Sequence, residues 1–326
     1  MKIFVTGAAG FIGSVVTETL IESGHDVWGF DSLKYGHRQA VHPSAHFVQG
    51  DLRNRALLGE IFASKQFDAV IHLGAEAYID DSIRDPGLFF EVNTTGGLNL
   101  LQTMNEHGVK RIVFSSTAAI YGEPKSIPVF EDAPHEPVNS YGESKLQFER
   151  TLRWFHRAYG LNHVSLRYFN ACGATVRYGE DRTKETHIIP ILFEVVNGKR
   201  KEFSLFGNDY DTEDGTCVRD YVHVQDIANA HLLALASIDN LGERAYNLGS
   251  SKGYSNREVI EAVRTVTGHE IPVSESQRRP GDPATLVASH DRISSELGWQ
   301  PKYKDLTEMI QTSWAWRSAN PNGYSK

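Results

Sequence analysis

An α/β protein built on a parallel, doubly wound sheet, with a smaller mixed α/β lobe added to it, is predicted by three observations. Strand-like and helix-like segments alternate through the first half of the chain. A glycine triplet, Gly7, Gly10 and Gly13, falls between the first strand-like segment and the first helical one. After about residue 170 the texture changes to shorter segments punctuated by Gly, Pro, Asp and Thr, as in "FGNDYDTEDGT". Alternation of this kind implies strands joined by crossover helices, and therefore parallel strands covered on both faces.

The elements follow in order. "KIFVTG" (2–7) is a short apolar run that ends in glycine, and Phe11–Ser23 continues as a helix. "DVWGFD" (26–31), "HFVQGD" (46–51), "DAVIHLG" (68–74), "RIVFSS" (111–116) and "HVSLRY" (163–168) are apolar runs bounded by Asp, Gly or polar residues, and read as buried strands. Leu88–His107 reads as one continuous helix between two of them. The run 141–159 is a second long helix: it lacks proline, Leu146, Phe148, Leu152 and Phe155 recur at near-helical spacing, and Gly160 supplies a stop. Helical patterns return near 225–237, 255–267 and 305–318. Residues 1–169 are thus expected to form the sheet domain and 170–326 a lobe supplying loops above its carboxyl edge. The stretch 220–248 is expected to return to the first domain. No internal repeat or low-complexity segment stands out.

A chain of 326 residues exceeds the usual size of one hydrophobic core. Its 40% apolar and 23% charged content is ordinary for a globular protein. A net charge of −8 argues against a nucleic-acid partner or an anionic membrane, so an anionic substrate would need local arginines. Cys172 and Cys217 make neither a disulfide framework nor a metal site. The chain opens directly on a strand and carries no apolar run of membrane-spanning length, so a soluble cytoplasmic protein is expected.

The glycine triplet carries the first chemical signal. Its spacing, G-x-x-G-x-x-G, provides a tight turn, close backbone approach to a pyrophosphate and close helix–strand packing, with a helix N-terminus facing the phosphates. Asp31 ends the second strand, 18 residues after Gly13. A carboxylate there accepts hydrogen bonds from a ribose diol and repels a 2′-phosphate, which favours NAD over NADP. Lys34 and Arg38 nearby pull the other way. Asp51, closing the third strand, could contact the adenine or could cap the helix that begins at "LRNRALL".

The second signal is Tyr141 and Lys145 in "SYGESKLQFER". Two Tyr-x-x-x-Lys spacings occur in the chain. In Tyr121…Lys125, "YGEPK", Pro124 blocks a regular helix. On the proline-free helix, Tyr141 and Lys145 lie one above the other. The spacing alone fits either an exposed pair worth a few tenths of a kcal/mol or a catalytic dyad.

Together "GAAGFIG", Asp31, "VIHLGA", Asn93, "FSSTAAIYG", "YGESK" and "RYFN" resemble the extended short-chain dehydrogenase/reductase superfamily. "FGNDYDTEDGTCVRDYVHV" (206–224), "AYNLGS" (245–250) and "RRPGDPA" (278–284) are similar to the UDP-glucose 4-epimerase family, also called UDP-galactose 4-epimerase. The likeness runs to the terminal "PNGYSK". It implies a Rossmann-like fold and tightly bound NAD. The cofactor would meet Gly7, Gly10, Phe11, Ile12 and Gly13 at the first turn, and Asp31 and Ser32 at the second strand. Asp51, Leu52, Leu73, Gly74, Ala75 and Asn93 would follow, then Ser115, Tyr168 and Phe169. Lys145 would hold the nicotinamide ribose.

The resemblance also implies a reaction. Tyr141 acts as general base on the sugar O4, Thr117 hydrogen-bonds the reacting hydroxyl, and the C4 hydride moves to NAD and back to the other face of a 4-keto sugar. A free phenol titrates near 10, so bringing it to about 7 takes roughly 4 kcal/mol. A lysine about 6 Å away contributes on the order of 3 kcal/mol at an effective dielectric of 20. The positive nicotinamide would supply the rest. Arg219 and Arg279 would grip the UDP diphosphate and Asp282 the uridine ribose. Asn170, Ser204 and Phe206 would make other UDP contacts. His187 stands where some members carry a nucleotide-contacting Asn. Leu286 would lie beside the sugar, where side-chain size is linked to acceptance of an N-acetyl group. A homodimer is implied, joined by helices near 88–107 and 141–159, with Leu100, Leu101, Met104, Leu152 and Trp154 as apolar residues beyond a single stripe.

Three alternatives remain at this level. A sugar dehydratase of the same fold would carry an Asp-Glu pair where this chain has Ala118 and Ala119. A 4-epimerase of UDP-N-acetylhexosamines, UDP-pentoses or UDP-glucuronate separates poorly by sequence. A non-catalytic NAD-sensing protein would not need the Tyr141–Lys145 pair.

Overall fold

The computed structural model describes residues 1–279 and 281–324; Pro280 of "RRPGDPA" and Ser325–Lys326 of "PNGYSK" lie outside them. β1 (Lys2–Thr6) passes through the glycine turn into α1 (Phe11–Glu22), followed by β2 (Asp26–Asp31), β3 (His46–Gln49), α2 (Arg55–Ser64) and β4 (Ala69–His72). α3 (Ile79–Arg84) and α4 (Pro86–Phe89) lead through a π-helical turn (Phe90–Gly96) into α5 (Gly97–Glu106). β5 (Arg111–Thr117), α6 (Ser140–Tyr159) and β6 (Asn162–Tyr168) complete the first stretch. Then come β7 (Asn170–Cys172), α7 (Ile188–Val196), β8 (Phe203–Phe206), β9 (Val218–His223), α8 (Val224–Leu241) and β10 (Glu243–Leu248). β11 (Gly253–Ser255), α9 (Asn256–Thr267), β12 (Val273–Ser276), β13 (Thr285–Leu286), α10 (Asp291–Leu297) and α11 (Leu306–Ala319) finish the chain.

The main sheet has seven strands in the order β10-β6-β5-β4-β1-β2-β3, and every pairing in it is parallel. The apolar strands alternate their loyalties. Ile3 and Val5 of β1 enter a core shared with α1 and α8, while Phe4 enters the opposite core with α2, α5 and α6. Both faces are therefore covered, as parallel sheets require. Strand order reverses between β1 and β4. At that reversal the chain ends of neighbouring strands diverge and leave a crevice at the carboxyl edge.

The smaller sheets lie beyond this edge. β9 pairs with β7, β11 and β13, and β8 pairs with β12. Their core joins Leu192 and Phe193 of α7, Leu205, Tyr221, Val259 and Val263 of α9, and Met309 and Ile310 of α11. Cys172 and Cys217 are buried free thiols. Among the described residues, no helix is long and apolar enough to cross a membrane.

Two sequence expectations are corrected here. The helix expected over 88–107 is interrupted: Pro86–Phe89 starts behind an Asp85 cap, a π turn follows, and Gly97 begins the regular helix. The extra residue of a π turn re-aims a side chain. Here Asn93 points inward, and Gly97 lets the ring of Phe148 approach to where a Cβ would stand 2.4 Å from it. The third strand stops at Gln49, and α2 is capped by Asn54, whose side chain accepts from Leu57 N at 3.1 Å, not by Asp51. Finally, of the five residues read as apolar beyond a single stripe, Leu100, Leu101, Met104 and Leu152 are buried in the protein's own core and Trp154 is exposed, at 66%. α5 packs against both α2 and α6, which buries Leu100, Leu101 and Met104.

Candidate active site

The glycine turn is built by close approach. Gly7 has φ +73°, and its N–H bonds Phe30 O at 2.8 Å. A Cβ on Gly13 would lie 1.9 Å from Gly7 O. Any side chain at either position would strain or displace the turn. α1 starts directly after Gly10 without a side-chain cap, which leaves its first N–H groups facing the crevice. Asp31 is fixed opposite: its oxygens accept from Ala9 N at 3.0 Å and Leu33 N at 2.8 Å. Burial raises its carboxyl above the usual range, and those two N–H groups oppose the shift.

A cavity of about 620 Å³ opens from this turn. Its walls include Gly7, Gly10, Phe11, Ile12 and Gly13 from the turn, and Asp31, Ser32, Asp51 and Leu52 from the next two strand ends. Leu73, Gly74, Ala75, Ser115, Tyr141, Lys145, Tyr168 and Phe169 close it. Asn93 is the exception among the expected cofactor residues. It stands behind the wall, where its amide oxygen accepts from Glu76 N at 2.8 Å and its nitrogen donates to Glu76 O and Ser144 Oγ, both at 3.0 Å. It braces the wall instead of lining it, because the π turn directs it there. Asp51 lines the cavity while held by Arg53, whose Nε and terminal nitrogen lie at 3.0 and 2.7 Å. That hydrogen bonding lowers its carboxyl pKa.

Tyr141 sits in the first turn of α6, which Asn139 caps by accepting from Gly142 N at 2.8 Å. Thr117, the last residue of β5, hydrogen-bonds the Tyr141 side chain and accepts from Ala119 N at 3.1 Å. Burial raises the Tyr141 phenol, opposed by the Thr117 bond and by the charge of Arg182. Lys145 is one helical turn on. Its Nζ donates to Ser115 O at 2.8 Å and stands 4.9 Å from the Phe114 ring centroid. Burial lowers it to about 7, and Glu149 partly opposes this. Lys145 thus stands one helical turn from Tyr141, and the Arg182 charge also opposes the burial of the phenol.

A second cavity of about 620 Å³ meets the first at Thr117, Tyr168, Phe169, Asn170 and His187, which line both. Ser204, Phe206, Arg219, Arg279, Asp282 and Leu286 line its far side. Arg219 is paired with Asp282, and its guanidinium also donates to Val218 O at 2.8 Å. Arg279 lies 4.0 Å over the ring of Phe206. Leu286 pairs in register with Arg219 and packs against the cluster of Ala118, Tyr121 and Phe169. His187 immediately precedes α7, with Nδ1 2.8 Å from Glu180 Oε1.

Residues 3–249 match the model of the NAD dependent epimerase/dehydratase family. The UDP-glucose 4-epimerase of Lacticaseibacillus casei is 47% identical over 327 residues, covering 99% of each chain. That of Streptococcus mutans is 49% identical over 329 residues, again 99% of each. The chain belongs to the UDP-glucose 4-epimerase branch of this family. Among solved epimerases, the Bifidobacterium longum enzyme, crystallised with NAD+ and UDP, superposes with TM-score 0.95 at 38% identity, covering 99% of this chain and 100% of that one.

Several residues of this epimerase chain escaped sequence reasoning. Arg167, quoted in "RYFN", forms a buried pair with Glu149 of α6, at 3.0 and 2.7 Å. Glu180, Glu185 and His187 bring one ligand atom each within 4.8 Å of the others. Arg182 joins them, with Nε 2.7 Å from Glu180 Oε1. Burial and the neighbouring Glu180 push Glu185 up to about 7. No local motif marks this cluster. Tyr324, at the end of the described chain, lines the first cavity.

Proposed function

We propose that this protein reversibly inverts C4 of UDP-glucose and UDP-galactose, using NAD held in the first cavity as its hydride carrier. The observation that carries the reading is Tyr141 hydrogen-bonded to Thr117 at the junction of the two cavities, with Lys145 one turn behind.

The first cavity suits NAD by its donor set. The cradle at Gly7 and Gly13 has no room for a Cβ, and the uncapped start of α1 suits a pyrophosphate. Asp31 suits a ribose diol. The cations that could favour a 2′-phosphate are engaged elsewhere: Lys34 is paired with Glu76, and Arg38 lies over the Phe47 ring. Lys145 would hold the nicotinamide ribose and Ser115 its neighbouring edge. The chemistry that bound NAD supplies is a reversible store for the C4 hydride.

The chain's own residues do the rest. Thr117 orients the sugar hydroxyl toward Tyr141, and the phenolate takes the O4 proton and later returns it. Because burial disfavours phenolate, a positive charge close to Tyr141 is needed to bring it into range. Arg219 and Arg279 would hold the diphosphate by paired N–H donors while the sugar turns, with Asp282 at the uridine ribose. Asn170, Ser204 and Phe206 complete the nucleotide site, and Leu286 bounds the sugar. His187, steered by Glu180, would donate or accept at the nucleotide end.

We further propose a cytoplasmic homodimer joined along α5 and α6, with exposed Trp154 in the contact. Sedimentation at micromolar concentration should show a dimer; a monomer there would count against it. For the reaction, purified protein is mixed with UDP-galactose and the anomeric proton followed by NMR. Appearance of UDP-glucose to a fixed ratio, reached from either side, supports the reading. Stoichiometric release of NADH would point to a dehydrogenase instead.

A further inference from the structure

We propose that the C-terminal segment, residues 321–324, is a clasp that retains the cofactor by fastening the wall of the first cavity. The proposal rests on the reading of that cavity as the NAD site.

Tyr324 lines the cavity beside Gly10, Phe11, His37, Gly179 and Asp181. It is tied into the wall at every polar atom it offers there. Its N–H donates to Asp181 Oδ2 at 2.9 Å. Its hydroxyl accepts from Gly179 N and donates to Gly179 O, both at 3.2 Å, and it also meets the Ser14 hydroxyl at the start of α1. The ring contacts His37 and Trp316, with centroids 5.1 and 5.2 Å away. His37 in turn reaches Asp181 O at 2.9 Å. Asp181 Oδ1 lies 3.6 Å from Arg317 of α11.

These contacts join three pieces of chain that are far apart in sequence. His37 belongs to the loop after β2, Gly179–Asp181 to the loop after β7, and Ser14 to the helix that faces the phosphate site. Tyr324 touches all three. The local sequence is shaped for this approach. Gly323 has φ +68°, and a Cβ there would stand 2.0 Å from the Asp181 carboxylate. Gly179 lies so close to the Trp316 ring that a Cβ would stand 2.2 Å from it. Lys199 Nζ donates to Pro321 O at 2.9 Å and holds the near end of the segment.

A ligand filling the first cavity lies against the wall that Tyr324 fastens. Opening between the His37 and Gly179–Asp181 loops breaks the Tyr324 contacts, so those contacts add to the barrier for release. The clasp suits an enzyme whose cofactor is regenerated in each turnover and gains nothing from leaving. Tyr324, Gly323 and Asp181 are positioning residues in this scheme, acting on retention and not on the reacting atoms.

The test is the rate at which bound NAD leaves the purified holoenzyme, followed by dilution and enzymatic assay of the NAD released. Tyr324→Ala should release NAD about tenfold faster or more, the scale of one or two lost hydrogen bonds with a ring contact. Tyr324→Phe, which keeps the ring and loses the hydroxyl pair, should show a smaller increase. Gly323→Ala should also raise the rate, although it removes no atom from the wall. Affinity for UDP, measured by calorimetry, should change less than the NAD release rate in all three, because Tyr324, Gly323 and Asp181 do not line the second cavity. Wild-type release rates in the variants that fold would overturn the clasp. If Tyr324→Ala does not fold, Tyr324→Phe and Gly323→Ala decide. A wild-type protein that neither carries nor binds NAD would overturn the cofactor reading itself, a distinct result.

Discussion

Replacing Arg167 with Met should destabilise the protein by about 3–5 kcal/mol, the usual loss when one partner of a buried ion pair is removed. Arg167 is 1% exposed and Glu149 3%. The guanidinium donates to both Glu149 oxygens, at 3.0 and 2.7 Å, and its remaining nitrogen donates to the Tyr121 hydroxyl at 2.8 Å and to Glu131 O at 2.9 Å. Met fills similar volume but leaves the carboxylate with Ser116 Oγ, at 2.5 Å, as its hydrogen-bond donor. Such a loss is a large share of the roughly 5–15 kcal/mol that holds a typical domain together. The assay is the urea midpoint of wild type, Arg167→Met, Glu149→Leu and the double variant at pH 7. The double variant removes charge and partner together, so it should recover much of the loss. The sign with pH follows from Glu149. Arg167 and Ser116 hold its carboxyl below the usual value of 4.5, outweighing burial. The stability it contributes is present above 4.5 and is lost as pH falls through the folded value. In Arg167→Met the same carboxyl is raised, so the variant gains relative to wild type on acidification and the gap should narrow below neutrality. A loss under about 1 kcal/mol, or a double variant no better than Arg167→Met, would refute the reasoning.

Tyr141→Phe should lower turnover by about 10²–10⁴, the range for general acid–base groups. NAD and UDP should still bind; near-normal turnover with NAD bound would remove Tyr141 from the chemistry. Leu286→Tyr should leave UDP-galactose turnover largely intact while activity on the N-acetylated sugar collapses by roughly 10- to 200-fold, the scale of a one-group steric change. A parallel fall in both activities, or no N-acetyl activity in the wild type, would show that Leu286 is not the gate. Lys145 has a depressed folded pKa of about 7 against 10.5 unfolded, so the unfolded chain binds the extra proton between these values. Stability from this group should rise with pH from 7 to 9 by up to about 1.4 kcal/mol per unit. Lys145→Met should flatten that rise, and an unchanged slope in urea midpoints would contradict the assignment.

What could be read in the chain beforehand was what short-range geometry dictates. Gly7 and Gly13 are forced by a turn whose atoms leave no room for a Cβ, and Asp31 follows at the end of the adjacent parallel strand. Tyr141 and Lys145 needed only a proline-free helix to share a face. The segment Leu88–His107 failed because a π turn is not coded by apolar spacing; it is stabilised by the inward bonds of Asn93 to Glu76 and Ser144. The burial of Leu100, Leu101 and Met104 could not be read because sequence spacing does not reveal that α2 and α6 flank α5 on two sides. Arg167 and Glu149 are on different elements, and Tyr324 meets Gly179 across most of the second lobe. Pairings of that range are set by the assembled fold, and only the resemblance of "RYFN" and "PNGYSK" to a family flagged those positions at all.

The central claim is that the C4 hydrogen leaves the sugar as hydride and returns to the same carbon without exchange. UDP-galactose carrying deuterium at C4 tests it directly. The purified protein, in ordinary water and with no added nicotinamide nucleotide, should yield UDP-glucose with the deuterium still at C4, by NMR and mass. Loss of the label to solvent, or conversion that depends on a continuing supply of free NAD, would contradict the account.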